Sequence, residues 1–482
     1  MRKVFLCLIL VGFTAAITSG FAQERFRKAP PVPERLAELN LPKIDSIRLS
    51  NGLTVAVIYL KNLPFICAEM TIQAGESDCP ENHPGLAGFT AEMLTRGTTF
   101  LSATDIEEKI DGIGGVLSTS ATLDYSRFSF LFLDENLDQA LETLSQIVLQ
   151  PDFSDKEIAS LRFSRRYDML RDVHNPEYVG RQQLLRLLFK DHPYGRAAFN
   201  EDAFKDLSRK DVLGFYQRFY HPNNATVVLA GNLNLTAASR KVSRYFNTWQ
   251  EKEVARPMSP PPEMNRDERV CLVDLPRSKD ATVFVGNLAS PVDDPDVFPT
   301  LVLNQVLGGT PNSRLFMNLR ESKEYANFAF SEVEFFRSAG LYEVRARVIP
   351  SACFPAVQEI LKEIDRLGRE KVTTFELEQA KSYLIGNFPL QIGRLETLTQ
   401  RVSQIMTFSL GDAYWNKFYD SIMLVDAERV LEVGKKFLLP KPIVVIVGDK
   451  AALAEYLRDF PRVEVYDTKG ELLYTMLKGV EE

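Results

Sequence analysis

Histidine and cysteine are the side chains that most often bind transition metals, and this chain of 482 residues contains four histidines and five cysteines. A catalytic zinc site on a helix needs two imidazoles one turn apart on one face, with a carboxylate beside them to activate water. No two histidines have that spacing, and all of them lie near turn residues: His83, His174, His192 and His221. The histidines therefore predict no metal site of this kind.

The cysteines and the charge balance exclude two further classes of protein. Four cysteines follow the N-terminal apolar segment, at spacings that fit neither a zinc ribbon nor the disulfide framework of a small secreted domain: Cys67, Cys79, Cys271 and Cys353. The net charge is −7, so the chain has no general basic field that would attract nucleic acid. Nucleic acid is therefore not an expected partner.

The N-terminus has the pattern of a secretory signal peptide. Arg2 and Lys3 precede the apolar run 4–13, and Gly20-Phe21-Ala22 leads to Gln23 as a cleavage site would. The run is shorter than the roughly 20 apolar residues that span a bilayer, which disfavours a membrane anchor. We predict cleavage of residues 1–22 and export to a periplasm, and no later segment predicts a membrane span.

A proline-rich stretch divides the rest of the chain. Residues 256–262 read RPMSPPP, which can continue neither a helix nor a central strand and predicts an extended linker. The predicted organisation is a signal peptide 1–22, an N-terminal domain 40–250, a linker 251–265, a C-terminal domain 266–455 and a C-terminal extension 456–482.

The two halves repeat one order of predicted elements, offset by about 217–220 positions. The first half has a strand at 128–133, a helix at 137–148, a helix opening near 154 and a buried strand at 224–232; the second has them at 342–348, 354–367, 374 and 442–449. This constancy favours duplication over two unrelated domains. Because strands are grouped and long helices follow, we predict an α+β fold of two duplicated α/β sandwich domains, each a mixed or antiparallel sheet with layered helices.

Residues 85–98 (GLAGFTAEMLTRGT) carry a resemblance to a known family. The stretch resembles the signature helix of the pitrilysin/insulinase zinc peptidases, whose pattern is Gly-x-Ala-His-Phe-x-Glu-His-Met-Leu-x-x-Gly-Thr. The matching positions are Gly85, Ala87, Phe89, Met93, Leu94, Gly97 and Thr98. Further similarity lies at 190–196 (KDHPYGR), at 215–226 and at 313–321 (SRLFMNLRE), so the resemblance covers about 45–450.

The positions that carry the chemistry of that family differ here. The two histidines of the pattern correspond to Gly88 and Glu92, and its glutamate to Ala91. The third ligand, counted back from a proline, corresponds to Asp168. Two carboxylates without an imidazole are a poor zinc set, and alanine cannot activate water. The resemblance thus implies no intact catalytic residue, no bound metal and no cofactor, and it leaves open whether Glu92 and Asp168 act together or pair with Arg165 or Arg166.

Two other places correspond to substrate-binding elements of the family. The second half of active relatives contributes an arginine and, seven residues later, a tyrosine; here Arg320 matches, Asn327 stands at the tyrosine position and Tyr325 lies two residues earlier. The alternative for Arg320 is a structural ion pair with Glu321 or Glu324. The family lays extended peptide along an edge strand, to which residues 116–122, with Ser118, Thr119 and Ser120, correspond; the alternative is an ordinary exposed edge.

The resemblance also implies an assembly. Members of the family close a chamber from two halves of two domains each, and this chain would form one metallopeptidase-like half-clamshell. The expected function is that of a zinc-less subunit, with no metallopeptidase activity on its own, which binds peptide and pairs with a zinc-bearing relative. The alternatives are a non-enzymatic peptide-binding or scaffold protein, alone or as a homodimer, and an enzyme with a new chemistry.

Overall fold

The computed structural model describes residues 42–196, 204–256, 259–265, 267–411, 414 and 416–478. The predicted signal peptide lies outside these residues. Among them, no helix is both long and apolar enough to cross a bilayer.

The first half forms a six-stranded sheet in the order β1-β2-β6-β3-β5-β4. Its strands are β1 (Ile44–Arg48), β2 (Thr54–Tyr59), β3 (Phe65–Ile72), β4 (Val116–Ala121), β5 (Ser126–Leu133) and β6 (Ala225–Gly231). Only β2 and β6 are parallel, and all other neighbours are antiparallel. β4 is an edge strand of this sheet.

The second half forms a seven-stranded sheet in the order β13-β12-β7-β11-β8-β10-β9. Its strands are β7 (Arg269–Asp274), β8 (Ala281–Ala289), β9 (Ala326–Phe335), β10 (Gly340–Val348), β11 (Ile443–Gly448), β12 (Arg462–Tyr466) and β13 (Leu472–Leu477). The order β7-β11-β8-β10-β9 repeats β2-β6-β3-β5-β4, including the single parallel pair with which each set begins. The segment 456–482 contributes β12 and β13, so its described part lies within this sheet rather than beyond it.

Helices cover both sheets. Those described are α1 (Leu86–Met93), α2 (Ala103–Gly112), α3 (Leu137–Leu149), α4 (Asp155–Asp172), α5 (Pro176–Phe189), α6 (Pro193–Arg196), α7 (Arg209–Phe219), α8 (Leu235–Phe246), α9 (Val297–Leu307), α10 (Cys353–Arg369), α11 (Thr374–Ile392), α12 (Leu395–Thr407), α13 (Phe418–Leu424), α14 (Ala427–Phe437) and α15 (Lys450–Leu457). Ser154 caps α4, Asn175 caps α5 ahead of Pro176, and Thr373 forms a capping box with Glu376 on α11. These caps fix where the long helices begin.

The two halves exchange one helix each. Helix α5 belongs to the first half but packs on β8 and β11 of the second sheet. The glycines at the contact permit the approach, because a Cβ on Gly180 would lie 2.1 Å from the ring of Phe284. Conversely, α12 belongs to the second half but covers β3 and β6 of the first sheet. Each sheet is therefore buried on its second face by the other half.

A buried hydrogen-bond cluster also joins the halves. Asp124 of the first half accepts hydrogen bonds from the hydroxyl of Tyr194 at 2.5 Å and from the backbone N–H of Arg337 at 2.9 Å. The Tyr194 hydroxyl in turn accepts one from the backbone N–H of Ser338 at 3.1 Å. Burial raises the pKa of Asp124, against the lowering effect of these donors. The cluster ties the β9–β10 turn to the first half.

The fold class predicted from the sequence is confirmed. Each half is a mixed sheet with packed helices, as predicted, and the repeated strand order is what a duplication produces.

Candidate peptide-binding edge and altered metal motif

Helix α1 presents the residues at the positions of the metal motif. It begins after Gly85, whose φ of 89° is left-handed and favours glycine, and it ends in a tight turn at 94–96. Its apolar residues are buried, and Phe89 stacks on Phe204 with ring centroids 5.5 Å apart. Ala91 is fully buried, and its methyl group cannot act as a base.

The carboxylate of Glu76 lies directly against position 88. Its Oε1 accepts a hydrogen bond from the backbone N–H of Gly88 at 2.9 Å, and a Cβ on Gly88 would lie 3.0 Å from the same oxygen. Burial raises the pKa of Glu76, while the N–H groups of Gly88 and Gly85, the thiol of Cys79 and the charge of Arg165 lower it. Glu76 thus acts as an N-terminal cap for α1.

Glu92 is held by two guanidinium groups. Arg165 of α4 approaches it at 2.5 Å, and Arg96, one turn further along, at 2.8 Å. The charge of Arg165 also lowers the pKa of Glu76. An arginine, rather than a carboxylate, is therefore the group by which α4 reaches α1.

Asp168 lies apart from this cluster. Its carboxylate is 3.6 Å from Arg171 on the same helix, and no contact joins it to Glu92. Among the described residues, no three histidine, cysteine, aspartate or glutamate side chains lie close enough together to hold a metal ion. The donors present at residues 88, 91, 92 and 168 do not fit zinc, since catalytic zinc normally takes three protein ligands that commonly include histidine.

The four histidines lie at separate places in the first half, and each makes contacts unrelated to metal binding. His174 and His221 contact the backbone carbonyls of Leu170 and Gln217 in the preceding helical turn. His83 lies 3.7 Å from the carboxylate of Asp211, and His192 is buried beneath the ring of Tyr194. None of them lies beside another, as their spacing predicts.

The strand that corresponds to the substrate-binding edge has one free side. Among the described strands β4 pairs only with β5, so its outer backbone groups are available to an added strand. Ser118 and Ser120 are exposed and Thr119 is half-buried, so small side chains border that edge. Just past its end, a cavity of ≈ 540 Å³ opens against α11 and α12, lined by aromatic residues that include Tyr125, Phe336 and Phe408.

The residues predicted in the second half are placed close together but differ in exposure. Arg320 lies on a π-helical segment (Phe316–Ser322), half exposed, stacked over the ring of Phe316 at 4.8 Å and 3.8 Å from Glu321. Tyr325 is half-buried against the core of the second half. Asn327 is exposed at the beginning of β9, the edge strand that corresponds to β4 in the second sheet.

Sequence reasoning missed Glu76 and Arg96. The acidic residues Glu76 and Asp78, which precede by a short loop a helix with a glycine in its first turn, were the available signal for the cap. Arg96 stands four residues after Glu92, which is the spacing of a helical ion pair. Both signals are common on surfaces, so neither alone identifies a site.

Comparison with known proteins gives a consistent result. Residues 54–202 match the family model described as Insulinase (Peptidase family M16), and residues 206–384 match the model described as Peptidase M16 inactive domain. A protein named uncharacterized zinc protease from Mycobacterium tuberculosis is 24% identical over 423 residues, covering 85% of this chain and 95% of that protein. One named uncharacterized zinc protease YmxG from Bacillus subtilis is 22% identical over 321 residues, covering 66% of this chain and 76% of that protein.

Solved structures share the fold. The peptidase M16 inactive domain from Pseudomonas fluorescens superposes with a TM-score of 0.79 at 19% identity, covering 84% of this chain and 98% of that one. A protease from Helicobacter pylori gives a TM-score of 0.79 at 20% identity, covering 84% and 100%.

Proposed function

Because the chain belongs to the insulinase (M16) family of peptidases, we propose that it is a zinc-less member that binds extended peptides and pairs with a zinc-bearing relative to form a peptide-degrading chamber. The chain has no peptidase activity of its own, and zinc belongs to the partner. Export through the predicted signal peptide 1–22, to a periplasm, is part of the proposal.

One observation carries the proposal: the residues at the metal positions are built into stable alternative contacts. The carboxylate of Glu76 lies directly against Gly88, and Arg165 and Arg96 neutralise Glu92. The guanidinium of Arg165 supplies positive charge to the carboxylates of Glu92 and Glu76. Neither carboxylate therefore needs a metal ion or a bound water as a partner. These contacts support a role for the protein other than catalysing hydrolysis itself.

The free edge of β4 supports peptide binding. Strand addition uses main-chain hydrogen bonds, so it accepts many sequences and holds the peptide extended. The small polar side chains of Ser118 and Ser120 leave room for an approaching backbone. The aromatic cavity past the end of β4 would accept an apolar side chain of the same peptide.

A second candidate function follows from the contacts of Arg320. Its guanidinium stacks on Phe316 and faces Glu321 within the chain, so it has partners without any substrate. If these contacts are its purpose, the protein is a peptide-binding scaffold that gives nothing to a partner's chemistry. The two functions are distinguished by what Arg320 does in a complex.

The test begins with the mature chain alone. We expect no stoichiometric zinc by metal analysis and no cleavage of unstructured peptides, because no described donor set fits the metal. About one zinc per chain with chelator-sensitive proteolysis would overturn the proposal. Purification from the native host should then yield a 1:1 complex with a zinc-bearing relative.

Arg320→Ala in that complex separates the two functions. A guanidinium aimed at a developing oxyanion or peptide carbonyl is worth roughly 3 kcal/mol, so turnover should fall about a hundredfold while assembly is unchanged. Arg369→Ala, another exposed arginine with an ion pair on its own helix, is the matched control. Turnover within about twofold of the wild type would favour the scaffold.

Strand addition is tested by proline at two neighbouring positions. Alternate amides of an antiparallel edge strand point outwards, so only one of Ser118→Pro and Thr119→Pro removes an outward N–H. We expect that variant to lose peptide affinity with little change in melting temperature, and the other to be less stable. Unchanged peptide affinity in both would show that β4 is an ordinary edge.

A further inference from the structure

The cavity past the end of β4 shares an apolar wall with the beginning of the described chain. Phe388 of α11 and Ile405 of α12 line the cavity. Both also belong to the buried apolar cluster that contains Ile44, the first residue of β1. The chain therefore enters the described structure, at residue 42, beside this cavity.

The cavity is suited to an aromatic side chain. Its aromatic lining comes from separate segments of the chain and includes Phe336, Phe408 and Tyr414, each of which is half-buried. A ring that is half-buried keeps part of its surface for a further contact, and aromatic rings pack well in edge-to-face or offset arrangements. An apolar site of this kind binds best a ligand that also meets a few polar groups at its border.

The border that β9 forms carries an excess of negative charge. Glu332 and Glu334 line the cavity there, whereas Arg401 lines it on α12. The Glu332 side chain is 60% exposed, and its one ion pair among the described residues is with Arg345 at 3.5 Å. The ion-pair network to which both acids belong has four carboxylates and three guanidinium groups: Glu177, Glu332, Glu334 and Glu343 with Arg181, Arg345 and Arg347. Glu332 can therefore accept hydrogen bonds from a further cation.

The segment that precedes residue 42 has the complementary composition. Residues 23–41, which lie outside the described part of the chain, read QERFRKAPPVPERLAELNL. In this segment Phe26 is flanked by Arg25, Arg27 and Lys28. At roughly 3.3 Å per extended residue, the chain from Phe26 to residue 42 reaches up to roughly 50 Å, far more than the width of the cavity.

We propose that residues 23–41 bind back on their own chain, with Phe26 in the aromatic cavity and its three neighbouring cations against Glu332 and Glu334. Attachment favours this occupant over a free one. A segment linked to its site acts at an effective concentration on the order of 1 mM, so an intrinsic dissociation constant of about 0.1 mM leaves the cavity about 90% filled.

The bound segment controls access to the edge strand. Thr122 and Tyr125 follow β4 directly and line the cavity, so a filled cavity is closed to the side chain of a peptide added to β4. External peptides should bind about tenfold more tightly to a chain that lacks the segment. This consequence rests on the proposed peptide binding, whereas the docking of the segment does not.

The docking is tested with this chain alone. A shortened chain of residues 36–482 is titrated into a fluorescent synthetic peptide of residues 23–35, and binding is followed by anisotropy. We expect a dissociation constant of about 0.1 mM, and binding at least about tenfold weaker to the chain of residues 23–482, whose own segment fills the cavity. The same peptide with Phe26→Ser should bind at least about tenfold more weakly, because it lacks the ring.

A second route does not depend on shortening the chain. Phe26→Ser within the chain of residues 23–482 should free the cavity, so that this variant binds the wild-type peptide as tightly as the shortened chain does. Both chains are compared with the wild type by circular dichroism before the titration.

Charge exchange tests where the peptide binds. Glu332→Lys in the shortened chain should raise the dissociation constant about tenfold, and a peptide with Arg25→Glu and Arg27→Glu should regain affinity for that variant. Glu107→Lys, a charge reversal at an exposed position of α2, is the matched control and should leave the affinity unchanged.

Three results would overturn the inference: no binding of the peptide 23–35 up to about 2 mM, equal binding by the whole and the shortened chain, or no effect of Glu332→Lys. A whole chain whose peptide affinity falls as protein concentration rises would place the segment on another copy, which also overturns docking within one chain. If the segment docks but neither chain binds unrelated unstructured peptides, the proposed function fails alone. If both chains bind such peptides equally and neither binds residues 23–35, this inference fails alone.

Discussion

Glu69 is a buried carboxylate whose removal should stabilise the protein at neutral and alkaline pH. It lies on β3 with 1% of its surface exposed, beneath α12 of the other half. Arg127 is 4.0 Å away, and neither carboxylate oxygen has a well-formed hydrogen bond. Burial raises its pKa from 4.5 to about 7, against the lowering effect of Arg127 and the Ser403 hydroxyl.

The magnitude follows from linkage. Below pH 4.5 Glu69 is protonated in both the folded and the unfolded chain, so it contributes no pH dependence. Between pH 4.5 and about 7 the unfolded chain releases the proton and the folded chain keeps it, so the free energy of unfolding decreases as pH rises. The full loss is about 3 kcal/mol at about 1.36 kcal/mol per pH unit.

Glu69→Gln should remove this loss. The variant should match the wild type near pH 4.5 and become more stable than it as pH rises, by up to about 3 kcal/mol at pH 8. The gain is reduced by the free energy that Arg127 loses when its carboxylate partner is replaced by a neutral amide. The assay is urea unfolding followed by circular dichroism at several pH values, with Glu107→Gln on the exposed face of α2 as control. Other buried acids keep their own pH dependence, so the difference between variant and wild type is the quantity to compare.

If the difference in the free energy of unfolding between variant and wild type is constant across the pH range, the reasoning is refuted. The amide does not titrate, so this difference must change with pH as Glu69 of the wild type titrates. A variant that is less stable than the wild type at pH 8 would show that the ionised carboxylate is stabilised by its surroundings.

Three further predictions concern the altered metal motif and the junction of the halves. The triple change Gly88→His, Ala91→Glu and Glu92→His should bind no stoichiometric zinc by metal analysis, since Arg165 rather than Asp168 reaches α1 from α4 and the two imidazoles lack their third ligand. Arg165→Met should lower the free energy of urea unfolding by about 1 kcal/mol, because its ion pair is partly exposed; no change would mean that the pair is incidental. Tyr194→Phe should cost about 1.5–3 kcal/mol in the same assay, since it removes a buried hydrogen bond to a carboxylate, and a smaller loss would show that water replaces the hydroxyl.

The elements that the sequence predicts well are those whose pattern reflects local physics. Strands β6 and β11 are continuous apolar runs closed by glycine, and each is buried on both faces. The capped beginnings of α4 and α11 lie where the sequence predicts helices to open, near residues 154 and 374. Such signals depend on a few neighbouring residues, so one sequence suffices.

Contacts between distant segments were not predictable in the same way. Cys67, Glu69 and Thr71 alternate with apolar residues along β3, a pattern typical of a solvent-facing side, yet α12 buries them. The group of α4 that reaches Glu92 is Arg165 rather than Asp168, because counting back from a proline gives a position and not the direction of a side chain. The role of Glu76 as the cap of α1 was not predictable either, because the site that holds its carboxylate forms only after α1 has packed.

The exchange of α5 and α12 makes the order of synthesis matter. The hydroxyls of Thr71 and Thr407 meet at 3.0 Å although 336 positions separate them, so the first sheet lacks its outer cover until most of the chain has emerged. Neither half made as a fragment would bury its apolar outer face, and each would be prone to aggregate. Cleavage in the linker 251–265 of the finished protein, by contrast, should leave two fragments that stay together through α5, α12 and the Asp124 cluster. The linker therefore matters for joining the halves during folding rather than for holding them together afterwards, and long-range contacts of this kind predict slow folding.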